Sequence, residues 1–216
     1  MNIHIDMMDY NKLPKVSFIM VQSRQNKWVD IAKSSINIQY YPNKEFIVID
    51  NLKKDKSIGK CYNEGAKKAT GMFCLFVGDD DKLAPDYTMS LVLNILYNII
   101  NGKKQYGITS HVTAFDDEME FSTPVLLYPT GMWNREYLLD NPFDEKLKKK
   151  IDTEYYNNGG MDVATIVGWN YGYFYRQHDD QVSGRNLSKN KIKELKKEQK
   201  SRQNSLKRKR SKDERH

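Results

Sequence analysis

The sequence predicts a single α/β domain, a mostly parallel sheet flanked by helices, followed by a basic C-terminal tail. Three observations predict it. Short, nearly continuous apolar runs of strand length alternate with longer segments whose apolar residues recur at helical spacing. The order strand, helix, strand, helix, strand demands crossover connections, which place helices over a parallel sheet. Finally, 216 residues with 39% hydrophobic content provide one core of ordinary size and not two.

The elements follow in order. Val16–Val21 and Glu45–Asp50 read as strands covered on both faces, and Phe73–Val77 as a third. Between them, Lys27–Gln39 carries Trp28, Ile31, Ala32, Ser35 and Ile38 on one stripe, and Ser57–Thr70 carries Ile58, Cys61, Gly65, Ala66 and Ala69. Pro85 opens a further helix in which Met89, Val92, Leu93, Leu96 and Ile100 form the expected core stripe, stopped by Asn101-Gly102. β-like runs follow at Tyr106–Phe115 and Phe121–Tyr128, then Pro129-Thr130-Gly131 leads into Met132–Leu139. A polar region begins at Pro142, Ile151–Tyr156 comes next, and late strands are expected at Val163–Val167 and Tyr171–Arg176. There is no internal repeat. The expected organisation is an N-terminal extension over 1–14, the domain over 15–184 and the tail over 185–216.

Charge is unevenly distributed. The formal net charge of +7 suggests a nucleic-acid binder until it is placed along the chain. Residues 189–216 hold 13 Lys and Arg against 4 Asp and Glu, which leaves the preceding 188 residues at −2. The tail, with Lys207-Arg208-Lys209-Arg210, is expected to be a solvated helical or disordered extension, or a contact for nucleic acid or an anionic membrane. The apolar stretch Met89–Ile100 is too short to span a bilayer, and Asp6 and Asp9 interrupt the region where a signal peptide would be apolar. Cys61 and Cys74 form no ligand pattern and are expected to be buried thiols. A cytoplasmic protein is expected, with peripheral membrane attachment left open.

The most informative stretch is Leu75-Phe76-Val77-Gly78-Asp79-Asp80-Asp81, a buried strand that ends in three carboxylates. A strand tip fixes its backbone, so the carboxylates are placed for a hard cation such as Mg²⁺ or Mn²⁺, with positions left for substrate phosphates. An acidic surface turn is the plainer alternative. In a parallel sheet ligands bind beyond the carboxyl ends of the strands. The first three strands end there in Gln22-Ser23-Arg24, Asp50-Asn51 and Asp79-Asp80-Asp81. Amides, hydroxyls and carboxylates on one rim suit a nucleotide diphosphate with its cation. Neither a Gly-x-x-x-x-Gly-Lys-Ser/Thr nor a Gly-x-Gly-x-x-Gly run occurs.

The run Ile36-Asn37-Ile38-Gln39-Tyr40-Tyr41-Pro42-Asn43-Lys44-Glu45-Phe46-Ile47-Val48-Ile49-Asp50, then Asn63-Glu64-Gly65, Ala69-Thr70-Gly71, Gly78-Asp79-Asp80-Asp81 and Pro85-Asp86-Tyr87, occur in the order of a known family. The chain resembles the family-2-like glycosyltransferases of the GT-A fold from about Lys15 to Ser183. The resemblance implies inverting transfer of a sugar from a nucleotide diphosphate, UDP first, to an unidentified glycan, lipid-linked or other hydroxyl acceptor. It implies that Asp50 or Asn51 contacts the base, that Asp79 contacts the ribose or orients the cation, and that Asp80 is the main ligand to Mn²⁺ or Mg²⁺. Ser23 and Arg24 join the donor-binding set. Gly78 stands where the usual Asp-x-Asp pattern has its first acid, and Asn51 where many relatives have a second aspartate.

The same resemblance makes Asp152 the general base, with a helix N-cap as the plainer reading and Glu154 as a weaker candidate. Gly131 and Met132 are expected to bring backbone close to the donor sugar, and Trp133 either stacks on a sugar ring or packs in the core. His178 in Tyr175-Arg176-Gln177-His178 is expected at the metal or the diphosphate, and Arg176 or Arg185 at phosphate. Two other classes compete. Nucleotidyltransferases usually carry a Gly-rich loop after the first strand, and Met20–Lys27 has no glycine. A non-catalytic domain of the same fold that binds nucleic acid or another polyanion through its tail is the other alternative.

Overall fold

The computed structural model describes residues 12–125, 131–147, 150–167 and 172–178. It is the expected mixed α/β architecture. The boundary near Gly184, Arg185 and the basic tail lie outside the described residues.

The first half is β1 (Val16–Gln22), α1 (Lys27–Asn37), β2 (Lys44–Asp50), α2 (Ile58–Lys68), β3 (Phe73–Gly78), β4 (Lys82–Leu83) and α3 (Tyr87–Ile100). The second is β5 (Gly107–Ser110), β6 (Val112–Phe115), β7 (Phe121–Val125), β8 (Met132–Asn134), α4 (Arg135–Asp140), α5 (Ile151–Asn157), β9 (Ala164–Val167) and β10 (Tyr173–Arg176). One sheet has the order β2-β1-β3-β8-β5-β9, and a smaller one the order β4-β10-β6-β7. In the larger sheet β1 pairs in parallel with both β2 and β3, β5 pairs in parallel with β9, and β8 is the antiparallel insertion between β3 and β5.

Period-two alternation along the central strands sorts their side chains into two cores. Phe18 and Met20 of β1 with Leu75 and Val77 of β3 pack against Ala32 and Ile36 of α1 and Leu91, Val92 and Ile95 of α3. Ile19 and Val21 with Cys74 and Phe76 face the other way, onto Cys61 and Ala66 of α2, Leu138 of α4, and Ile151 and Tyr156 of α5. Each large apolar side chain so buried stabilises the fold by about 1.5–3 kcal/mol. Asn26, Ser57 and Asn134 cap α1, α2 and α4 by accepting from Trp28, Lys60 and Tyr137 backbone N–H groups, at about 1 kcal/mol each.

Three expectations about burial are corrected. β2 is an edge strand, half-buried along most of its length, so only Ile49 among its residues is fully covered. Ile38 lies past the end of α1 and is exposed. In α3 the sheet covers Tyr87, Thr88, Leu91, Val92, Ile95 and Asn98, while Leu93 and Ile100 face outward. That helix is apolar on both faces, so its spacing did not single out the buried one. Both cysteines are free and buried, and burial pushes the Cys74 thiol up to about 12. Among the described residues no helix is long and apolar enough to cross a membrane.

Candidate active site

Where β3 ends, the chain turns through Asp79-Asp80-Asp81, and the three carboxylates take three different directions. Asp79 turns toward the end of β1. Its Oδ2 accepts from Ser23 N at 2.7 Å and Ser23 Oγ at 3.0 Å, and its Oδ1 pairs with Arg24 Nε at 3.1 Å. Burial raises its pKa, against the lowering effect of the Ser23 N–H and of Arg24.

Asp81 turns inward. It is buried and accepts from Tyr173 Oη at 2.7 Å and from the Arg176 backbone N–H at 3.0 Å, which staples the exit of β3 to β10. Burial first, and then the charge of Asp80, push its carboxyl up to about 8. Tyr173 Oη also accepts from Gly78 N, and a side chain at Gly78 would run into Asp81 Oδ2. The glycine that interrupts the Asp-x-Asp pattern therefore makes room for the acid three residues on.

Asp80 points into the open crevice, and two guanidiniums and an imidazole converge on its Oδ2. His178 Nε2 is 2.7 Å away, Arg24 Nη1 2.8 Å and Arg176 Nη1 3.4 Å. Arg24 Nη1 also lies 3.0 Å from His178 Nε2. Arg176 is held on every side. Asp117 accepts from its Nε at 2.9 Å and Nη2 at 2.6 Å, and its guanidinium lies 4.3 Å from the centre of the Trp28 ring. This guanidinium is preorganised rather than flexible.

These groups line a cavity of about 180 Å³ whose walls include Ser23, Arg24, Ile58, Tyr62, Asp79, Asp80, Asp81, Lys150, Asp152, Arg176 and His178. It collects the ends of β1, β3 and β10 and the start of α5. Of the residues expected from sequence, it brings together Ser23, Arg24, Asp79, Asp80, Asp152, Arg176 and His178.

The others sit elsewhere. Asp50 accepts from Leu52 N, and Asn51 is buried with its amide bonded to Lys56 N and O, so both shape the loop after β2. Gly131 (φ +80°) gives its carbonyl to Phe76 N, and a Cβ there would approach Ile108 O to 2.6 Å, so it serves close packing of β3, β8 and β5. Met132 and Trp133 are completely buried in the two cores, so Trp133 takes its packing role and offers no face to a sugar.

Asp152 lies within the first turn of α5, one residue past its start. The cap position belongs to Lys150, in left-handed backbone at φ 57° and without a side-chain cap bond, so Asp152 is not the N-cap residue, but its Oδ1 does accept from the first-turn Thr153 N at 2.9 Å. Glu154 lines a separate cavity with Tyr137, Asn141 and Tyr155, away from Asp80.

Sequence reasoning missed Asp117, Trp28 and Tyr173, which position Arg176 and Asp81. Trp28 read as a residue of the α1 stripe, Tyr173 as one more strand residue, and Asp117 fell between two β-like runs with no role assigned. Nothing in their spacing signals a pairing with residues far along the chain.

Asp80 Oδ2 and His178 Nε2 meet at 2.7 Å, and the Arg24 and Arg176 guanidiniums reach the same carboxylate oxygen. An oxygen and an imidazole nitrogen suit Mn²⁺, and with less preference Mg²⁺. Among the described residues no third His, Cys, Asp or Glu joins them, so most of the coordination shell would fall to phosphate and water.

No protein-family model and no curated protein sequence matches the chain. Among solved structures, it is similar to S. aureus TarS, with a TM-score of 0.58 and 16% identity over 75% of this chain. A TarS fragment spanning residues 1–349 in complex with UDP-GlcNAc aligns with a TM-score of 0.60 and 17% identity over 84% of this chain. The same fragment with UDP aligns at 0.57 and 17% over 75%. The chain spans about a third of the longer TarS structure and about three fifths of the fragment. At this identity the likeness establishes the fold, a GT-A-like α/β domain with a mostly parallel central sheet.

Proposed function

We propose that the chain is an inverting, metal-dependent glycosyltransferase that uses a nucleotide diphosphate sugar, with UDP as the nucleotide. The observation that carries this reading is the convergence of Asp80, His178, Arg24 and Arg176 at the mouth of a crevice beyond the strand ends. It is supported by the fold shared with a protein that has been solved with UDP-GlcNAc and with UDP.

Each group then has a task. Asp80 and His178 would hold Mn²⁺ or Mg²⁺, which when bound supplies Lewis-acid neutralisation of the departing diphosphate. Arg176, fixed by Asp117 and Trp28, and Arg24, fixed by Asp79, turn the Nη1 groups that now face Asp80 toward the same phosphates. Asp152 accepts the proton of the acceptor hydroxyl as that oxygen attacks the anomeric carbon from the face opposite the diphosphate. A single displacement inverts the configuration. Lys150, at the same cavity wall, adds a further cation near the phosphates.

The test is calorimetry of the protein with UDP, GDP, ADP and UDP-sugars, with and without Mn²⁺. UDP binding that tightens in the presence of Mn²⁺ is the expected result. Absence of binding by every nucleotide would overturn the donor assignment and favour a polyanion-binding domain.

A further inference from the structure

The side of α3 turned away from the sheet is as apolar as the side turned toward it. Successive residues of a helix are rotated by about 100°, which puts Leu93, Tyr97 and Ile100 on one narrow arc opposite the buried Leu91 and Ile95. These three are 39%, 67% and 51% exposed, and partly buried Met89 and Leu96 continue the stripe. Tyr87–Ile100 contains no charged residue. The asparagines at its border give their amide donors to the helix itself, Asn94 to Ser90 O and Asn101 to Tyr97 O, so the border is neutral. Just past the C-terminal end stand two exposed cations, Lys103 and Lys104. An ordinary surface helix would carry charges on this face. No residue of α3 lines the cavity at Asp80, so the donor site does not account for the stripe.

We propose that this face docks the protein on an anionic lipid surface. α3 lies in the plane of the interface, with Leu93, Tyr97 and Ile100 at the boundary of headgroups and acyl chains, and Lys103 and Lys104 against lipid phosphates. An uncharged apolar stripe with a tyrosine and terminal lysines has the composition of an interfacial helix. Charge is complementary as well. The local cations are Lys103 and Lys104, the chain carries a further net +9 in residues 189–216, and an anionic leaflet attracts such charge. A second copy of the chain fits less well, because one stripe along a helix about 21 Å long falls short of the roughly 800 Å² per partner that a stable dimer buries. The inference stands on α3 and is independent of the transferase reading.

The experiment is flotation of the full chain with vesicles of phosphatidylcholine containing about 30% phosphatidylglycerol, compared with phosphatidylcholine alone. The full chain is expected to float with the anionic vesicles, and Leu93→Ser/Tyr97→Ser/Ile100→Ser to lose about tenfold in partitioning with its thermal midpoint unchanged. Tyr97→Cys, labelled with a polarity-sensitive dye, is expected to blue-shift on those vesicles; the native Cys61 and Cys74 are buried and would not take the label. That readout decides the matter if the triple variant does not fold. Equal flotation of the triple variant, no dye shift, or a dimer in solution that the triple variant dissolves would each overturn the proposal.

Discussion

Asp80 Oδ2 and His178 Nε2 lie 2.7 Å apart, the first at the exit of β3 and the second just past β10. The two strands belong to different sheets, and Asp81 joins them through Tyr173 and the Arg176 backbone. If the pair holds a cation, His178→Ala is expected to raise the Mn²⁺ concentration needed for half-maximal UDP-sugar turnover by about tenfold or more. A metal titration of initial rates checks it. An unchanged midpoint would assign His178 to orienting Asp80 alone.

Asp152→Asn keeps the shape of the α5 turn and removes the proton acceptor. Turnover is expected to fall by about 10²–10⁴-fold, the usual range for a lost general base, while UDP affinity measured by calorimetry stays the same. Because the amide oxygen of asparagine can still accept from Thr153 N, the thermal midpoint should change little. Near-normal turnover would exclude the role.

Arg176→Lys preserves the charge but not the planar fork that pairs with Asp117 and lies over Trp28. A lysine is a point charge on a flexible stem. UDP affinity is expected to drop about tenfold, with a smaller effect for uridine, which lacks phosphate. Equal losses for UDP and uridine would place the defect in the fold of the site rather than at the diphosphate.

Glu45 of β2 ties three segments together. It accepts from Lys15, from Ser17 and from Thr70 at the turn before β3. Burial raises its pKa, but these donors outweigh burial and hold the carboxyl down at about 2, below its ordinary 4.5. A carboxylate depressed in the folded state contributes stability that is complete above the unfolded value and is lost as pH falls toward the folded one. The share of stability that Glu45 supplies should therefore be lost between about pH 5 and pH 2, so the difference in thermal midpoint between the native protein and Glu45→Gln should shrink over that range. Glu64, held down at about 2 by Lys68 and Lys56, leaves a residual slope. A variant curve parallel to the native one would contradict the linkage.

The first half of the fold was legible because its signals are local. The apolar runs of β1, β2 and β3 and the helical stripes of α1 and α2 each lie within a few residues. The strand ending in three acids was legible for the same reason, and so were Ser23 and Arg24 at the neighbouring strand end. What periodicity missed was set by tertiary partners. Met132–Asn134 is a three-residue strand inserted antiparallel between β3 and β5, and such a segment carries no period of its own. The second sheet depends on β10 reaching β4 and β6, pairings that only the folded chain creates. In the site, Arg176 and His178 were readable as residue types, whereas the hold of Asp117 and Trp28 on Arg176 was not. In α3, two apolar faces gave the sequence no means of choosing between them.

The enclosed carboxylate of Asp81 makes positions 78 and 81 a linked pair. Restoring the common motif by Gly78→Asp alone would set a second acid in space already taken, separate Asp81 from Tyr173, and loosen the strap that brings His178 to Asp80. Any lineage or designer placing an acid at position 78 must therefore change position 81 with it, or pass through an intermediate in which the Asp81 carboxylate has been pushed off Tyr173.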